Sequence, residues 1–139
     1  MRLKTKRWND PVEADDGLRL LICRYRPRGV PSEIEPWDAW STALAPSKAL
    51  HAAAYGKDGS PKLPFEEYER RFRREMEAST FWIEGFARQL TEGKTLTLLC
   101  SSACVDEQHC HRSIVRQLLE SAAQKRQTTR GSAGKDPAR

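Results

Sequence analysis

The chain has 139 residues and a net charge of +5, with 38% hydrophobic and 31% charged residues. This length suits one domain that buries its own core, and the composition excludes collagen, coiled-coil and disulfide-miniprotein classes. No apolar run approaches the ~20 residues of a membrane-spanning helix. The first ten residues, MRLKTKRWND, lack the apolar core of a signal peptide, so we expect a cytoplasmic protein.

Two short strands are predicted in the first quarter of the chain. Residues 2–7 alternate loosely, and residues 18–24 form a nearly continuous apolar run. Such a run is typical of a strand buried on both faces of a parallel sheet. Asn9, Asp10 and Pro11 mark a turn between the two strands. Cys23 lies in the second run, and we expect it to be a buried core residue.

The middle of the chain is predicted to be helical. Trp37, Trp40 and Leu44 recur at helical spacing and predict one helix, and we expect Trp40 and Trp82 to lie in the core. Opposite charges four residues apart favour a second helix with a solvated outer face. The helix with these charge pairs is predicted over Phe65–Met76, and two further helices are predicted around residues 49–54, capped by Ser47, and from Thr80 to Gly93.

Residues 95–100 predict another buried strand, which leads through a polar loop into a last helix that fades by Gln124. A strand followed by a helix is a βα unit. We therefore predict an α/β fold, with a small, mostly parallel sheet covered by helices, in a single domain over residues 1–123. Residues 124–139 carry five basic and one acidic side chain and predict a disordered basic tail.

The segment between Cys100 and Arg112 is the most informative about chemistry. It leaves the carboxyl end of a predicted strand, where α/β proteins bind ligands, and enters a helix whose amino end attracts anions. A thiol at Cys110, beside His111 and Arg112, is expected to have a lowered pKa. The Arg112 guanidinium offers a bidentate donor for phosphate or carboxylate.

Three interpretations of this segment stay open. In the first, Cys100 or Cys110 is a reactive thiol and His111 an acid or base. In the second, zinc is bound by Cys100, Cys104, Cys110 and one of His109 or His111, although their spacing differs from that of paired knuckles. In the third, the thiols fill space beneath the loop. A redox disulfide fits the first or the third. We assign no metal ligand and no cofactor on this pattern.

Basic residues also cluster near the ends of the first two strands, at Lys4, Lys6, Arg7, Arg24, Arg26 and Arg28. Their mutual repulsion requires either a bound anion or pairing with nearby acids such as Asp10, Asp15 or Asp16. If the strands are parallel, Arg24 lies at the same sheet edge as Cys100.

Several motifs resemble one family. The stretches Lys6-Arg7, Asp10-Pro11, Asp16-Gly17, Arg19, Leu21, Arg24, Pro27-Arg28-Gly29, Trp40, Leu44-Ala45-Pro46-Ser47 and Leu50 occur in an order similar to the YeaO-like branch of the domain of unknown function 488 family. The resemblance runs from about residue 4 to residue 120. The Cys100…Cys110-His111-Arg112 ending is similar to that of other branches, and Cys104 matches neither. The resemblance implies a compact α/β domain and names no reaction.

These observations predict a pocket for a small anionic ligand. Its walls would be Arg7, Arg24, Arg28 and Arg112 together with Cys100, Cys110 and His111. An enzyme acting on a small phosphorylated or nucleotide-like ligand is one hypothesis. The alternatives are a non-catalytic ligand, redox or zinc-binding module, and a nucleic-acid-associated protein held by the basic ends.

Overall fold

The protein is built on a small parallel sheet. The structure, a computed structural model, describes residues 2–134, with side chains through residue 129. Four strands are present: β1 (Leu3–Arg7), β2 (Leu18–Leu21), β3 (Ala39–Trp40) and β4 (Leu96–Cys100). They lie in the order β1-β4-β2-β3 with every pairing parallel. The prediction of an α/β fold with a mostly parallel sheet is confirmed.

Within residues 2–134, four α-helices accompany the sheet: α1 (Lys48–Tyr55), α2 (Phe65–Met76), α3 (Thr80–Thr91) and α4 (His111–Gly134). Their apolar stripes form the larger core cluster, in which Phe72 of α2 and Leu119 of α4 are fully buried. The Ser47 hydroxyl accepts from the Leu50 amide and caps α1, as the sequence predicts.

Successive residues of β2 point to opposite faces of the sheet, as strand geometry requires. Leu20 and Ile22 join the larger cluster under the helices. Leu21 and Cys23 join a smaller cluster on the other face, with Trp37, Leu99, Cys100 and Cys110. Cys23 is therefore a core residue, as predicted. The thiols of the C-terminal segment belong to this second, smaller core.

The prediction of a helix across Trp37–Leu44 is wrong. Residues Ala39 and Trp40 form β3, and Thr42–Leu44 form a single 3-10 turn. The amide of Ser41 bonds to the carbonyl of Leu21, because pairing with the sheet edge satisfies more backbone groups than one isolated helical turn. Trp40 is 42% exposed and Trp82 is 49% exposed, so neither is a core residue, whereas Trp37 is buried.

The last helix continues farther than its apolar pattern predicts. Its apolar stripe ends at Ala123, which is fully buried, but α4 is helical through Gly134. Residues 135–139, the remainder of the predicted tail, lie outside the described residues. The domain boundary at residue 123 and the disorder beyond it stay predictions. Within the described range, no helix is both long and apolar enough to cross a membrane.

A buried acid explains much of the basic cluster at the front of the chain. The Asp16 carboxylate accepts from Lys4 Nζ at 2.6 Å, from Lys6 Nζ and from Arg19. Burial alone would raise the pKa of Asp16, but these donors outweigh it and hold that pKa well below its usual range. Arg7 pairs with Asp10. Of the two alternatives predicted for the basic cluster, pairing with nearby acids is therefore the one observed for Lys4, Lys6 and Arg7.

Candidate functional site: a sulfur-lined pocket at the carboxyl edge of the sheet

Parallel strands bring the two halves of the candidate site to one edge. The last residue of β1, Arg7, is in register with the last residue of β4, Cys100. The amide of Trp8 donates to the Cys100 carbonyl at 2.8 Å, and the amide of Ile22 donates to the Leu99 carbonyl at 3.0 Å. The segments after β1, β2 and β4 therefore emerge side by side.

Three cysteines meet where β4 ends and α4 begins. The Sγ atom of Cys100 lies 3.4 Å from that of Cys104 and 3.3 Å from that of Cys110. Cys100 and Cys110 are buried, whereas Cys104 is half-buried. A turn in which the Cys104 amide donates to the Ser101 carbonyl folds the loop back over the strand end. We call Cys100, Cys104 and Cys110 the sulfur cluster.

His111, the first residue of α4, completes this arrangement. Its Nε2 lies 2.7 Å from the carbonyl oxygen of Ile22, so Nε2 carries a proton and donates it. In the neutral ring, Nδ1 then keeps its lone pair, and it lies 3.8 Å from Cys100 Sγ and 3.9 Å from Cys110 Sγ. Burial lowers the pKa of His111, which favours this neutral form.

The three thiols differ in acidity. Hydrogen bonds from Cys100 and Cys110 lower the pKa of Cys104, and the positive charge of Arg112 acts in the same direction. Donation to Cys104 raises the pKa of Cys100 well above its usual value. Hydrogen bonding with Cys100 would lower the pKa of Cys110, but donation to Cys104 and burial outweigh it and raise it to about 12. The expectation of a lowered pKa at Cys110 is therefore wrong, and the thiol of the sulfur cluster whose pKa is lowered is that of Cys104.

The sulfur cluster lies against a pocket of about 740 Å³. Cys100, Cys104 and His111 form part of its wall, and none of the described residues that line it is an aspartate or a glutamate. Its cationic residues come from the loop after β2 and from the loop after α1: Arg24, Arg26, Arg28 and Lys57. The pocket is therefore strongly cationic.

These four cations differ in their partners. Arg24 donates to the carbonyls of Pro46 and Thr42, and Arg26 pairs with Glu35. Among the described residues, no carboxylate lies within 4.0 Å of Arg28 or Lys57. Burial, and then the charges of Lys57 and Arg24, lower the pKa of His51. The positive charges of the pocket wall therefore act on His51, which also lines the pocket.

One wall of the pocket is aromatic. The rings of Tyr25 and His51 meet edge to face with centroids 5.1 Å apart, and His51 and Tyr55 lie 4.8 Å apart. Tyr25 and Tyr55 are exposed, and all three residues line the pocket. Planar ligands pack well on such surfaces.

Of the predicted site residues, the structure brings Arg24, Arg28, Cys100 and His111 to one pocket. Cys110 lies directly against Cys100 but outside the lining.

Arg7 and Arg112 lie outside the lining of this pocket. Arg7 is held by Asp10, and its Nη1 donates to the Ser102 carbonyl. Arg112 is buried; its Nη2 donates to the Cys104 carbonyl at 2.9 Å, and its Nε has no hydrogen-bond partner.

Sequence reasoning missed the wall formed by α1 and the loop after it. Tyr25, His51, Tyr55 and Lys57 carry no motif, and they converge where Arg24, after β2, donates to the carbonyl of Pro46, before α1. The aromatic residues Tyr55 and Tyr25 stand next to or within turn-rich stretches, where exposed aromatic side chains are a weak signal of binding. Cys104 was placed only in the zinc interpretation, because its spacing matched no motif.

A small α/β domain with a cationic, sulfur-lined pocket at the carboxyl edge of a parallel sheet is the class that this fold and site define. The particular family follows from the sequence. The model of the active DUF488-N3 subclade, DUF488-N3a, matches residues 3–123, and the chain belongs to this family of domains of unknown function. The resemblance inferred from the motifs is confirmed.

The chain is also similar to named relatives. It is 37% identical to the uncharacterized protein YeaO of Escherichia coli (strain K12) over 57 residues, which cover 41% of this chain and 50% of YeaO. It is 27% identical to the uncharacterized protein Rv3073c of Mycobacterium tuberculosis (strain H37Rv) over 118 residues, which cover 85% of this chain and 93% of Rv3073c. The uncharacterized protein Mb3100c of Mycobacterium bovis matches to the same extent. No solved structure matches the chain.

Proposed function

We propose that this protein binds a small phosphorylated, nucleotide-like ligand in the pocket beside the sulfur cluster. The observation that carries the proposal is the charge of the wall: four cationic residues line it, and none of the described lining residues is acidic. Arg26 is paired with Glu35, but the other three cations have no carboxylate partner among the described residues, and their mutual repulsion is relieved by a bound anion. Arg28 and Lys57, which lack acidic partners among the described side chains, are the residues proposed to hold the phosphate.

The aromatic wall supports the nucleotide-like part of the proposal. Tyr25, His51 and Tyr55 line the pocket together, and a planar base gains by packing on aromatic side chains. The volume, about 740 Å³, is within the range of small-molecule sites and admits a ligand of nucleotide size.

Turnover is the second candidate function, and in it a cysteine acts as nucleophile or His111 as acid or base. It is favoured by position, because Cys100, Cys104 and His111 line the same pocket as the proposed phosphate ligands. The roles of Cys100, Cys110 and His111 in catalysis stay predictions, as do the cytoplasmic location and a nucleic-acid partner for the basic ends.

Ligand-dependent thermal unfolding tests the binding proposal. Inorganic phosphate, AMP and adenosine are each added to the full chain, and we expect AMP to raise the Tm most and phosphate to raise it less. A ligand at a hundred times its Kd stabilises the folded state by about 2.7 kcal/mol. Arg28→Ala and Lys57→Ala should each reduce the AMP shift.

The matched control is Arg74→Ala, which removes an exposed arginine of α2 that does not line the pocket. It should leave the AMP shift unchanged. If adenosine shifts the Tm as much as AMP does, or if all three variants behave alike, the phosphate assignment is wrong.

A further inference from the structure

We propose that Cys100, Cys104, Cys110 and His111 form a zinc site, with three thiolates and the Nδ1 atom of His111 as ligands. This inference goes beyond the proposed ligand pocket and does not depend on it. From sequence alone, zinc was one of three open interpretations, because the ligand spacing is unusual. The fold brings these residues together, although their spacing along the sequence does not predict it.

The first support is the convergence of the donor atoms. The Sγ atoms of the sulfur cluster all lie within 4.8 Å of one another. Zinc with Zn–S bonds of about 2.3 Å in a tetrahedral site holds its sulfurs about 3.8 Å apart. The measured separations of 3.3 and 3.4 Å from Cys100 differ from that value by a few tenths of an ångström. Small side-chain rotations therefore suffice to place a metal between the sulfurs.

The second support is the orientation of His111. Its Nδ1 faces Cys100 and Cys110 at 3.8 and 3.9 Å, which is close to the nitrogen–sulfur separation within a tetrahedral set. Its Nε2 donates to the Ile22 carbonyl. A backbone carbonyl on the remote nitrogen is the usual second partner of a metal-binding histidine, because it fixes both the tautomer and the ring orientation. The ring is thus oriented toward Cys100 and Cys110, but His111 does not belong to the group of donors that all lie within 4.8 Å of one another. Binding of all four donors to one ion therefore requires the Cys104 side chain to move toward the ring.

The third support is charge. Three thiolates and a neutral imidazole around Zn²⁺ carry a net charge of −1, and such a charge requires a cation when it is buried. Arg112 is 5% exposed and donates to the Cys104 carbonyl. Its charge helps to lower the pKa of Asp10, but no carboxylate of the described residues lies within 4.0 Å of Arg112. Its Nε is a buried donor without a partner. The guanidinium of Arg112 therefore supplies the compensating positive charge.

A disulfide is the competing use of the same sulfurs, since two pairs approach to 3.4 Å or less. A disulfide would consume two sulfurs and leave the third thiol and the Nδ1 lone pair of His111 without a role. Zinc uses all four donors. Binding converts three thiols to thiolates and releases up to three protons to solvent, so affinity should rise with pH.

The test is metal analysis of the full chain purified under reducing conditions without chelator, followed by cobalt(II) substitution. We expect about one zinc per chain, and in the cobalt form we expect a thiolate-to-cobalt charge-transfer band with the intense visible bands of tetrahedral coordination. Cys104→Ser should weaken cobalt binding by at least about a hundredfold, since loss of even an outer-shell partner costs 10–100-fold. Cys104 lies in a half-buried loop position, so this variant is expected to fold.

Cys23→Ser is the matched control, because Cys23 is buried in the same apolar cluster and contacts Cys100, but its sulfur lies outside the group of converging donors, so its loss bears on affinity and not on the coordination geometry. It should keep the cobalt bands. The proposal is overturned if reduced wild-type protein binds cobalt without a charge-transfer band, if Cys23→Ser and Cys104→Ser lose it equally, or if mass spectrometry of the purified protein shows a Cys100–Cys104 or Cys100–Cys110 disulfide. Arg28→Ala should keep the cobalt spectrum while reducing the AMP shift, which separates the two proposals.

Discussion

His111 Nε2 donates to the Ile22 carbonyl across 89 positions of sequence, at a distance of 2.7 Å. This bond joins the first residue of α4 to the residue that follows β2. The carbonyl of Ile22 lies beyond the last regular pair of the sheet, so without His111 it would be a buried acceptor at a strand end. One side chain therefore fixes both the helix entrance and the orientation of the Nδ1 atom that faces the sulfur cluster.

Replacing His111 should destabilise the fold. His111→Ala leaves the Ile22 carbonyl without its donor, and an unsatisfied buried polar group costs about 1–3 kcal/mol. Urea unfolding of chelator-treated protein measures this loss in the absence of metal. The control is His109→Ala, because His109 is exposed and bonds to Asp106 within the same loop. If both variants lose equal stability, the Ile22 contact has no special importance.

Gly17 should tolerate no side chain. Its φ is +62°, and a Cβ there would lie 2.3 Å from the Thr95 carbonyl oxygen. Gly17→Ala therefore incurs a backbone clash in addition to a left-handed conformation that costs an L-residue roughly 1 kcal/mol. Gly29, with φ +77° and nothing within 4 Å of its Cβ position, is the control for the conformational part alone. We expect Gly17→Ala to lower the free energy of unfolding more than Gly29→Ala, and equal losses would refute the clash.

The buried Asp16 cluster should make stability depend on pH in the acid range. The donors around Asp16 hold its folded-state pKa below the unfolded value of about 3.9, so its contribution is complete above that value. The contribution is lost as the pH falls below about 4. Asp16→Asn, which leaves Lys4, Lys6 and Arg19 without their shared acid, should cost about 3 kcal/mol at neutral pH.

Acid titrations of stability check this prediction. Asp16→Asn should also flatten the slope between pH 4 and the acid limit of the wild-type protein, when stability is followed by urea unfolding at each pH. Asp58→Asn is the control, because Asp58 is exposed and bonds to Ser60 in its own loop. A wild-type slope that survives in Asp16→Asn would assign the acid sensitivity to other carboxylates.

Much of the fold could be predicted because its signals are local. The helix over Phe65–Met76 was predicted to the residue, since its apolar stripe, acidic first turn and basic last turn agree. The helix predicted at Trp37–Leu44 does not form. Its prediction depended on the spacing of three apolar residues, whereas in the structure this segment pairs with the edge of β2. That pairing is a contact between distant segments, which periodicity does not register.

The candidate site was predictable to the extent that it follows from strand ends. Cys100 and Arg24 were expected at one sheet edge because both follow apolar strands, and the parallel sheet places both on the pocket wall. Arg7 and Arg112 were expected to hold a ligand but are engaged with Asp10 and the Cys104 carbonyl. The partner that each arginine binds depends on the paths of the loops around it, which the sequence pattern does not reveal. Lys57 likewise lines the pocket because of the path of its loop.

Alkylation should distinguish the cysteines by access. Cys104 is half-buried and lines the pocket, whereas Cys23, Cys100 and Cys110 are buried. In chelator-treated protein we therefore expect iodoacetamide to modify Cys104 first, as read by peptide mass spectrometry over time. AMP should slow this modification by covering the pocket, and zinc should slow it by binding the sulfur. Adenosine at the same concentration is the control for the phosphate-dependent part.

The order of labelling also bears on the nucleophile hypothesis. Rapid modification of Cys100 or Cys110 ahead of Cys104 would show that the loop of residues 101–109 opens. It would also support Cys100 or Cys110 as the nucleophile. If no cysteine reacts faster than a free model thiol and AMP changes no rate, an activated thiol in the pocket is excluded. Cys104→Ser completes the comparison, because it should remove the fast phase and leave the slow labelling of the buried thiols unchanged.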